Sequence, residues 1–435
     1  MKKKIVAPTM TYVEGSEFSK YVMQGGSDFG ERFNGLIELC IEPYVDISAW
    51  QKHTLDPFKV DELGKDEQGN FVVINDIIAS GLSTRVIFKE QSITTSLKQA
   101  KEWGLKHGKQ GSPNNRMRND WNLYVIEREL IRIPGVNFGN IQGDVVLYRA
   151  AQGGDYQSVF TIVDKPGKVI TMFEPSDGST PYELHNLHVE GNTSVKTVPT
   201  PLTPIEQMWT HFFAGALEKG LLPYTFLKDT AIGEHAMFGE LAERIFKASE
   251  AGKLSFHDQF LAQGLLTYSN NDPDENGELK NTLTDAATMA ILQWKDGGYA
   301  GAGPNAEMDM IQDEAAQAHG SPALMTSVNV GYIDGDDIFM YDAAHGTGTA
   351  GYKKRKNGHA ANFNPIGQFF GLLNAMDRSA MRAGNRDEMR GFTDVARLST
   401  TEVIANGKAT PDMDGSSTPE QFIHHISDSM AQKLA

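Results

Sequence analysis

Residues 159–198 limit the fold of this chain more than any other segment, because their hydrophobic pattern has no helical period. Two β-prone runs, 159–163 and 169–173, are interrupted by Pro-Gly and Asp-Gly turns. Elsewhere, strand-like runs such as 144–148 and 337–341 alternate with helical segments. This order predicts a mixed α/β chain that carries a small antiparallel insert.

Two helices are predicted most clearly. Thr203 with Glu206 has the spacing of a capping box, and Gly220 ends the run. Between them, apolar residues recur at helical spacing, namely Ile205, Met208, Trp209, Phe212, Phe213, Ala216 and Leu217. A second capping box, Thr418 with Gln421, opens a helix that closes the chain. Both segments are therefore expected to pack one apolar face against a core.

Composition excludes several classes of protein. A chain of 435 residues predicts two or three domains at roughly 150 residues each. It has 40 basic and 56 acidic residues, a net charge of −16, which disfavours a nucleic-acid partner. The single cysteine, Cys40, excludes an internal disulfide.

With no targeting signal or apolar run long enough for a membrane helix, we expect a soluble cytoplasmic protein without a membrane partner. An organelle matrix is the alternative if a transit peptide has been removed.

Some motifs that suggest chemistry lack the context that the chemistry requires. Residues 346–351 match G-x-G-x-x-G, but the basic run 353–358 is a poor helix start. The first acidic residue after the motif is Asp377, later than a Rossmann fingerprint requires. Exposed backbone amides that contact a phosphate are the better interpretation. The acidic run 272–277 has Leu283 where a calcium loop needs its final acid. No complete metal set surrounds the paired histidines, which are His185, His188, His424 and His425.

Two groups of charged residues suggest a site together. Asp309 and Asp313 are spaced i, i+4, which places both carboxylates on one helix face, where they could share a divalent cation. Several arginines, which suit bidentate capture of carboxylates, concentrate in one region of this acidic protein, namely Arg116, Arg118, Arg128 and Arg149. Taken alone, the aspartates are better explained by a solvated helix face and each arginine by a surface ion pair. In combination they suggest a metal chelated by a polycarboxylate.

Several short motifs follow one another between residues 80 and 370. They are Ser112-Pro113-Asn114, Arg118-Asn119, Arg128, Arg149 with Tyr156, Leu227-Lys228-Asp229-Thr230, Asp285, Asp309, Asp313, Ala343-Ala344-His345-Gly346-Thr347 and Asn364-Pro365. Their order and spacing resemble those of isocitrate dehydrogenases in the isocitrate/isopropylmalate (β-decarboxylating) dehydrogenase family. The resemblance is faint before Ser83 and after Leu373.

The resemblance implies a reaction: metal-dependent oxidative decarboxylation of isocitrate to 2-oxoglutarate and CO₂, a step of the tricarboxylic acid cycle. The implied substrate residues are Thr94, Ser112, Asn114, Arg118, Arg128 and Arg149. Mg²⁺ or Mn²⁺ is expected on Asp309 and Asp313, with Asp285 from a second subunit. Lys228, also from the partner, would take the hydroxyl proton, and Tyr156 would protonate C3 of the enolate. Because Asp285 and Lys228 would come from a second subunit, the resemblance implies a homodimer with shared active sites.

The implied cofactor is NAD. Its predicted binding residues are Thr94, His345, Gly346, Thr347, Thr349, Ala350, Gly351 and Asn364. Ala350 and Gly351 stand where NADP-dependent relatives carry side chains that grip the 2′-phosphate. Loss of two such contacts, at roughly 1.5–3 kcal/mol each, favours NAD over NADP. Lys353, Lys354 and Arg355 lie close enough to leave use of NADP open.

The resemblance also implies an architecture, the isocitrate/isopropylmalate dehydrogenase-like α/β fold, which differs from the Rossmann fold. A large domain is expected to comprise residues 1–121 and 313–435, and a small domain residues 122–154 and 203–312. Residues 155–202 would form a clasp between subunits.

Two alternatives remain open at this stage. A non-catalytic regulatory homologue would lose part of the catalytic set, whereas this chain keeps Tyr156, Lys228 and the three aspartates. An isopropylmalate-type or homoisocitrate dehydrogenase would want apolar residues in place of Ser112 and Asn114.

Overall fold

The fold is seen in a computed structural model. It describes residues 5–14, 37–46, 85–89, 117–119, 121–133, 141, 143–228, 231, 233–250, 252–266, 278–292, 294–295, 297–344, 354, 357–359 and 364–434. The chain divides into two compact units. One comprises Met1–Gln152 with Leu202–Ala435, and the other comprises Gly153–Pro201.

Strands and helices alternate through much of the larger unit. The strands of the chain are β1 (Ile5–Glu14), β2 (Ile37–Asp46), β3 (Val86–Lys89), β4 (Leu123–Leu130), β5 (Val145–Ala150), β6 (Val159–Val163), β7 (Gly167–Phe173), β8 (Tyr182–Val189), β9 (Thr193–Thr197), β10 (Leu222–Phe226), β11 (Lys280–Thr282), β12 (Tyr299–Gly303), β13 (Met325–Ile333) and β14 (Asp336–Ala343). The helices are α1 (Leu202–Lys219), α2 (Gly233–Lys247), α3 (Phe256–Ala262), α4 (Thr284–Ile291), α5 (Asn305–His319), α6 (Ile366–Ala383), α7 (Arg386–Ala405) and α8 (Pro419–Leu434).

One mixed sheet organises the larger unit. Within the described residues it has ten strands in the order β11-β10-β12-β5-β4-β13-β14-β3-β1-β2. The strand β4 pairs antiparallel with both β5 and β13, and β13 pairs antiparallel with β14. The outer pairs on both sides are parallel. The α/β class predicted from the sequence is therefore confirmed, and its centre is antiparallel.

Helices cover both faces of the central strands. Helix α5 contacts β4, β5 and β12, and α1 contacts β4, β5, β10 and β12. The apolar face predicted for α1 is buried, with Trp209, Phe212 and Phe213 all fully buried. Successive residues of a strand point to opposite faces, so α1 and α5 receive alternate side chains of β4.

The two predicted capping boxes have different outcomes. In α8, the Thr418 amide donates to Gln421 Oε1 at 2.9 Å and the Gln421 amide donates to Thr418 Oγ1 at 3.2 Å, as predicted. The prediction for α1 is wrong, since α1 begins at Leu202 and Thr203 is already helical. The Glu206 carboxylate accepts instead from Arg244 of α2. A long-range ion pair has replaced the local cap.

The smaller unit, Gly153–Pro201, consists of two antiparallel ribbons. Strand β6 pairs with β9, and β7 pairs with β8. Most of the large apolar side chains on these strands are exposed, as for Val159 (67%) and Ile162 (68%). This unit nearly coincides with the segment predicted as a clasp, residues 155–202, and from here on the name clasp refers to residues 153–201.

Among the described helices, none is both long enough and apolar enough to span a membrane.

Candidate active site

The antiparallel strands β4 and β5 place two arginines on one face of the sheet. In their register, Arg128 lies opposite Leu147 and Arg149 lies opposite Ile126. These positions share one parity, so both arginine side chains leave the sheet on the same side. Both are buried, with 7% of Arg128 and 3% of Arg149 exposed. Buried arginines require anionic partners.

Helix α5 supplies those partners one turn apart. Arg128 Nη1 lies 3.5 Å from Asp309 Oδ1 and 3.3 Å from Asp313 Oδ1. Arg149 Nη1 forms an ion pair with Asp309. Arg149 Nη1 also donates to the Asn305 carbonyl at 3.4 Å. We call these four side chains, Arg128, Arg149, Asp309 and Asp313, the arginine–aspartate cluster.

Opposing influences act on the pKa of the Asp313 carboxyl. Loss of surrounding water raises the pKa of the Asp313 carboxyl, and the charge of Asp309 raises it further, against the opposing charges of Arg128 and Arg149. The side chain is still 53% exposed. Two oxygen-donor carboxylates that repel one another across one helical turn are suited to a shared divalent cation.

A third arginine approaches the same face through a buried polar network. Arg118 Nε donates to Asn329 Oδ1 at 3.3 Å, and Asn329 lies opposite Ile126 in the sheet. Asn329 Nδ2 donates to Asp342 Oδ1 at 3.5 Å, and Asp342 Oδ2 lies 3.8 Å from Lys89 Nζ. All four polar side chains are buried. Sequence reasoning found Arg118 and missed the other three residues.

One local signal could have drawn attention to Lys89. It ends the apolar run of β3, in which all four residues are buried. A lysine is rarely buried without a charged partner. The partner, Asp342, is on β14, and no local pattern indicates that β3 and β14 are adjacent.

Lys228 lies just after β10 and is exposed. Its backbone N–H donates to His235 Nδ1 at 3.0 Å. His235 Nε2 lies 3.4 Å from Glu307 Oε1, and Glu307 is in the first turn of α5. The predicted proton acceptor is thus linked through one histidine to the helix that carries Asp309.

Asp285 does not join Asp309 and Asp313 within one chain. It lies in the first turn of α4, is exposed, and accepts from the Ala286 amide at 2.9 Å. In the described part of the chain, no three His, Cys, Asp or Glu side chains come together as a metal-binding group. A single chain therefore brings two of the three predicted ligands together.

Tyr156 belongs to the clasp. It is in a short 3₁₀ turn, Asp155–Gln157, and its side chain is 48% exposed. Ser158 Oγ donates to the Asp155 carbonyl at 2.7 Å, and Lys196 of β9 forms an ion pair with Asp155. These contacts hold the turn that presents the tyrosine.

Asn364 has a structural role. Its Oδ1 accepts from the Ile366 amide at 3.0 Å, at the start of α6, and its Nδ2 donates to Asp412 Oδ2 at 3.0 Å. Its predicted contact with the cofactor stays a prediction. The other predicted cofactor and substrate residues lie outside the described residues, and these are Thr94, Ser112, Asn114, His345, Gly346, Thr347, Thr349, Ala350 and Gly351.

The mixed sheet and its buried arginines facing paired aspartates define a class, an α/β protein equipped to bind a polycarboxylate. Residues 102–426 match the model of the isocitrate/isopropylmalate dehydrogenase family. The chain belongs to this family.

Individual relatives agree with the family match. The chain is 33% identical, over 99% of its length and 86% of the relative, to a mitochondrial NAD(+) isocitrate dehydrogenase of Ostreococcus tauri. It is 30% identical to a mitochondrial NAD(+) isocitrate dehydrogenase of Phaeodactylum tricornutum, over 98% of this chain and 75% of that one. A solved structure of the Ostreococcus tauri isocitrate dehydrogenase, in complex with isocitrate and magnesium(II), matches with a TM-score of 0.77 and 30% identity, over 98% of this chain and all of that chain (100%).

Proposed function

We propose that this protein oxidatively decarboxylates isocitrate to 2-oxoglutarate and CO₂, with reduction of NAD and a requirement for Mg²⁺ or Mn²⁺. The observation that carries the proposal is the arginine–aspartate cluster, in which two carboxylates of α5 face Arg128 and Arg149. The relatives that match over nearly the whole of this chain are named as NAD(+) isocitrate dehydrogenases.

The charges of the site suit this substrate. Arg118, Arg128 and Arg149 supply three positive charges, one for each of the three carboxylates of isocitrate. Arginine forks bind carboxylates through paired, charge-assisted hydrogen bonds.

The aspartates fit a hard divalent cation. Asp309 and Asp313 would hold it, together with Asp285 of the partner subunit, through carboxylate oxygens of the kind that Mg²⁺ and Mn²⁺ prefer. When bound, the cation would stabilise negative charge on the C2 oxygen of the substrate. Loss of surrounding water and the charge of Asp309 raise the pKa of the Asp313 carboxyl, and a bound cation would act in the opposite direction.

Two residues would move protons. Lys228 accepts the proton of the C2 hydroxyl, for which its ammonium must first lose a proton. Tyr156 donates a proton to C3 after CO₂ leaves. The arginines orient the substrate, so that hydride and CO₂ depart from fixed positions.

The protein is proposed to act as a homodimer with shared sites. Support comes from the clasp, whose exposed apolar side chains include Phe160 (64%) and Ile162 (68%). Asp285 is exposed on α4, and Met289 on the same helix is 68% exposed. Apolar surfaces of this kind mark contacts between proteins. Each chain then supplies Lys228 and Asp285 to the site of its partner.

Mixing two inactive variants tests the shared site. Neither Lys228→Ala nor Asp309→Asn homodimers should turn over isocitrate. A heterodimer of the two contains one intact site and one inactive site. It should therefore turn over isocitrate at up to about half the rate of a wild-type dimer. No recovery after subunit exchange, verified by native mass spectrometry, would exclude completion by the partner.

The preference for NAD rests on Ala350 and Gly351, which lack side-chain donors for a 2′-phosphate. The decisive experiment measures initial rates with isocitrate and Mg²⁺ or Mn²⁺, with NAD and with NADP, from the absorbance of the reduced nicotinamide. Turnover with NAD alone supports the whole proposal. Turnover with NADP alone keeps the reaction and assigns phosphate recognition to Lys353, Lys354 or Arg355. No turnover with either cofactor favours the regulatory homologue.

The compartment remains a proposal as well. The cytoplasmic location expected from the sequence competes with an organelle matrix, and the two relatives are both named as mitochondrial. Fractionation of the source cells, with activity measured in each fraction, distinguishes the two.

A further inference from the structure

A histidine and a glutamate form a bridge between the Lys228 backbone and helix α5. The backbone N–H of Lys228 donates to His235 Nδ1 at 3.0 Å. A ring nitrogen that accepts a hydrogen bond carries no proton, so the neutral imidazole has its proton on Nε2. This fixes which side of the ring can donate.

The donating nitrogen faces a carboxylate. His235 Nε2 lies 3.4 Å from Glu307 Oε1, and the two side chains are only 16% and 28% exposed. The Glu307 carboxylate is therefore the acceptor for the Nε2–H of His235. The bridge joins the segment after β10 to the first turn of α5.

We propose that His235 and Glu307 are positioning residues for the catalytic lysine, and that they hold the Lys228 backbone where its amine reaches the substrate hydroxyl. The inference rests on the proposed function, in which Lys228 accepts that proton. The hydrogen bond with His235 is made by the Lys228 backbone, so it fixes the position of the lysine Cα and leaves the side-chain amine available.

The physical reason is the length of the lysine side chain. Its four-carbon stem has many rotamers, and a shift of the Cα moves the whole range that the amine can reach. A misplacement of about 1 Å costs roughly 10²-fold in rate. The hydrogen bond to His235 limits the movement of the Lys228 main chain, and for this His235 needs no contact with the substrate.

A pair of variants at one position tests the backbone bond. In His235→Asn, the amide oxygen lies as many bonds from the main chain as Nδ1 does, so it can still accept from Lys228. His235→Leu removes the acceptor. We expect His235→Leu to lower kcat by about 10–100-fold, with the KM values for isocitrate and Mg²⁺ changed less than about twofold. His235→Asn should recover kcat to within about fivefold of the wild type.

The matched control is His257→Leu. His257 contacts its neighbour Asp258 at 3.0 Å on α3, and it is not part of the bridge. It should keep the wild-type kcat. If His235→Leu and His257→Leu behave alike, or if His235→Asn is as slow as His235→Leu, the positioning role is wrong.

A second position keeps the test valid if His235→Leu does not fold. Glu307→Gln retains an acceptor for Nε2–H, whereas Glu307→Leu does not. We expect Glu307→Gln to stay near the wild-type kcat and Glu307→Leu to lose about 3–10-fold, with the KM for Mg²⁺ unchanged. Equal kcat values for these two variants would overturn the inference. An inactive wild-type protein would instead overturn the proposed function, so the two failures are distinguishable.

Discussion

The arginine–aspartate cluster satisfies its charges within one chain, whereas the clasp leaves most of its large apolar side chains in solvent. In the cluster, buried Arg149 is paired with Asp309 of α5. In the clasp, Val159, Phe160 and Ile162 of β6 are all at least 64% exposed. The first region forms its ion pairs within a single chain, whereas the second exposes an apolar surface of the kind that mediates contacts between proteins.

This difference divides the proposed chemistry in two. The arginines proposed to bind the substrate and two of the predicted metal ligands are held by the central sheet and α5. Tyr156, the proposed acid, stands on the clasp, and Asp285 stands exposed on α4. Residues in the first group should influence folding and activity together, while those in the second should influence activity alone.

The largest effect is expected from Asp309→Asn. Buried Arg149 would lose the charge of the carboxylate with which it is paired, which costs about 3–5 kcal/mol in the free energy of unfolding. The loss of a metal ligand should also lower kcat by about 10³-fold. Urea unfolding and steady-state rates measure the two effects.

The matched control is Asp285→Asn on exposed α4. It should lose activity to a similar extent while its free energy of unfolding changes by less than about 0.5 kcal/mol. Should Asp309→Asn prove as stable as the wild type, the division between the two regions is broken.

Tyr156→Phe should affect chemistry alone. The loss of a proton donor lowers turnover by about 10²–10⁴-fold. The side chain is about half exposed (48%), so the unfolding midpoint should not move. Calorimetric titration should show Mg²⁺ and isocitrate bound as tightly as in the wild type. Unchanged turnover would remove Tyr156 from the mechanism.

The difference between these regions also shows how far the sequence could be read. Helix α1 was predictable because its apolar residues repeat at the helical period, and the burial of Trp209, Phe212 and Phe213 follows from that local pattern. The i, i+4 spacing likewise places Asp309 and Asp313 on one face of α5. Such features depend on residues a few positions apart.

Other contacts could not be predicted from local patterns. Lys89 meets Asp342, and His235 meets Glu307, across wide separations in the chain. Both pairs follow from the order of strands in the sheet, and periodicity does not encode that order. The contact of Glu206 with Arg244 of α2 is likewise made between residues far apart in the chain, in place of the predicted local cap with Thr203. The residues alone indicated a metal chelated by a polycarboxylate, whereas the identity of the substrate and the role of each residue came from the resemblance to a family.

Ile162→Lys tests the clasp side of the comparison. Ile162 is 68% exposed in one chain, and in the proposed dimer a lysine there would be buried against the partner. We expect the dimer to weaken by about 2 kcal/mol, or roughly 30-fold in its dissociation constant, measured by sedimentation. Ser179→Lys adds the same charge in a polar turn of the clasp and should leave the dimer intact. An unchanged dimer in Ile162→Lys would mean that this strand lies outside the interface.

The smallest effect is expected from Glu127→Gln, on the reverse face of β4 from Arg128. Burial alone would raise the pKa of the Glu127 carboxyl, but the hydrogen bond from His211 and the charges of His211, Lys219 and Arg378 bring it below its ordinary value of 4.5. A lowered pKa in the folded state means that ionised Glu127 stabilises the fold above the unfolded-state pKa. That contribution disappears as the pH falls through the folded-state pKa.

Glu127→Gln should therefore unfold about 1–2 kcal/mol more easily than the wild type near neutral pH. The difference should shrink as the pH falls below 4.5, the ordinary value for this group. Glu129→Gln is the control, because Glu129 pairs with Lys219 at 2.8 Å on a side chain that is 47% exposed, where an ion pair contributes little. A stability difference for Glu127→Gln that is the same at every pH would show that shape, and not charge, makes Glu127 important. The stability of β4 would then depend on packing on both of its faces, and only the arginine face would require ionised partners.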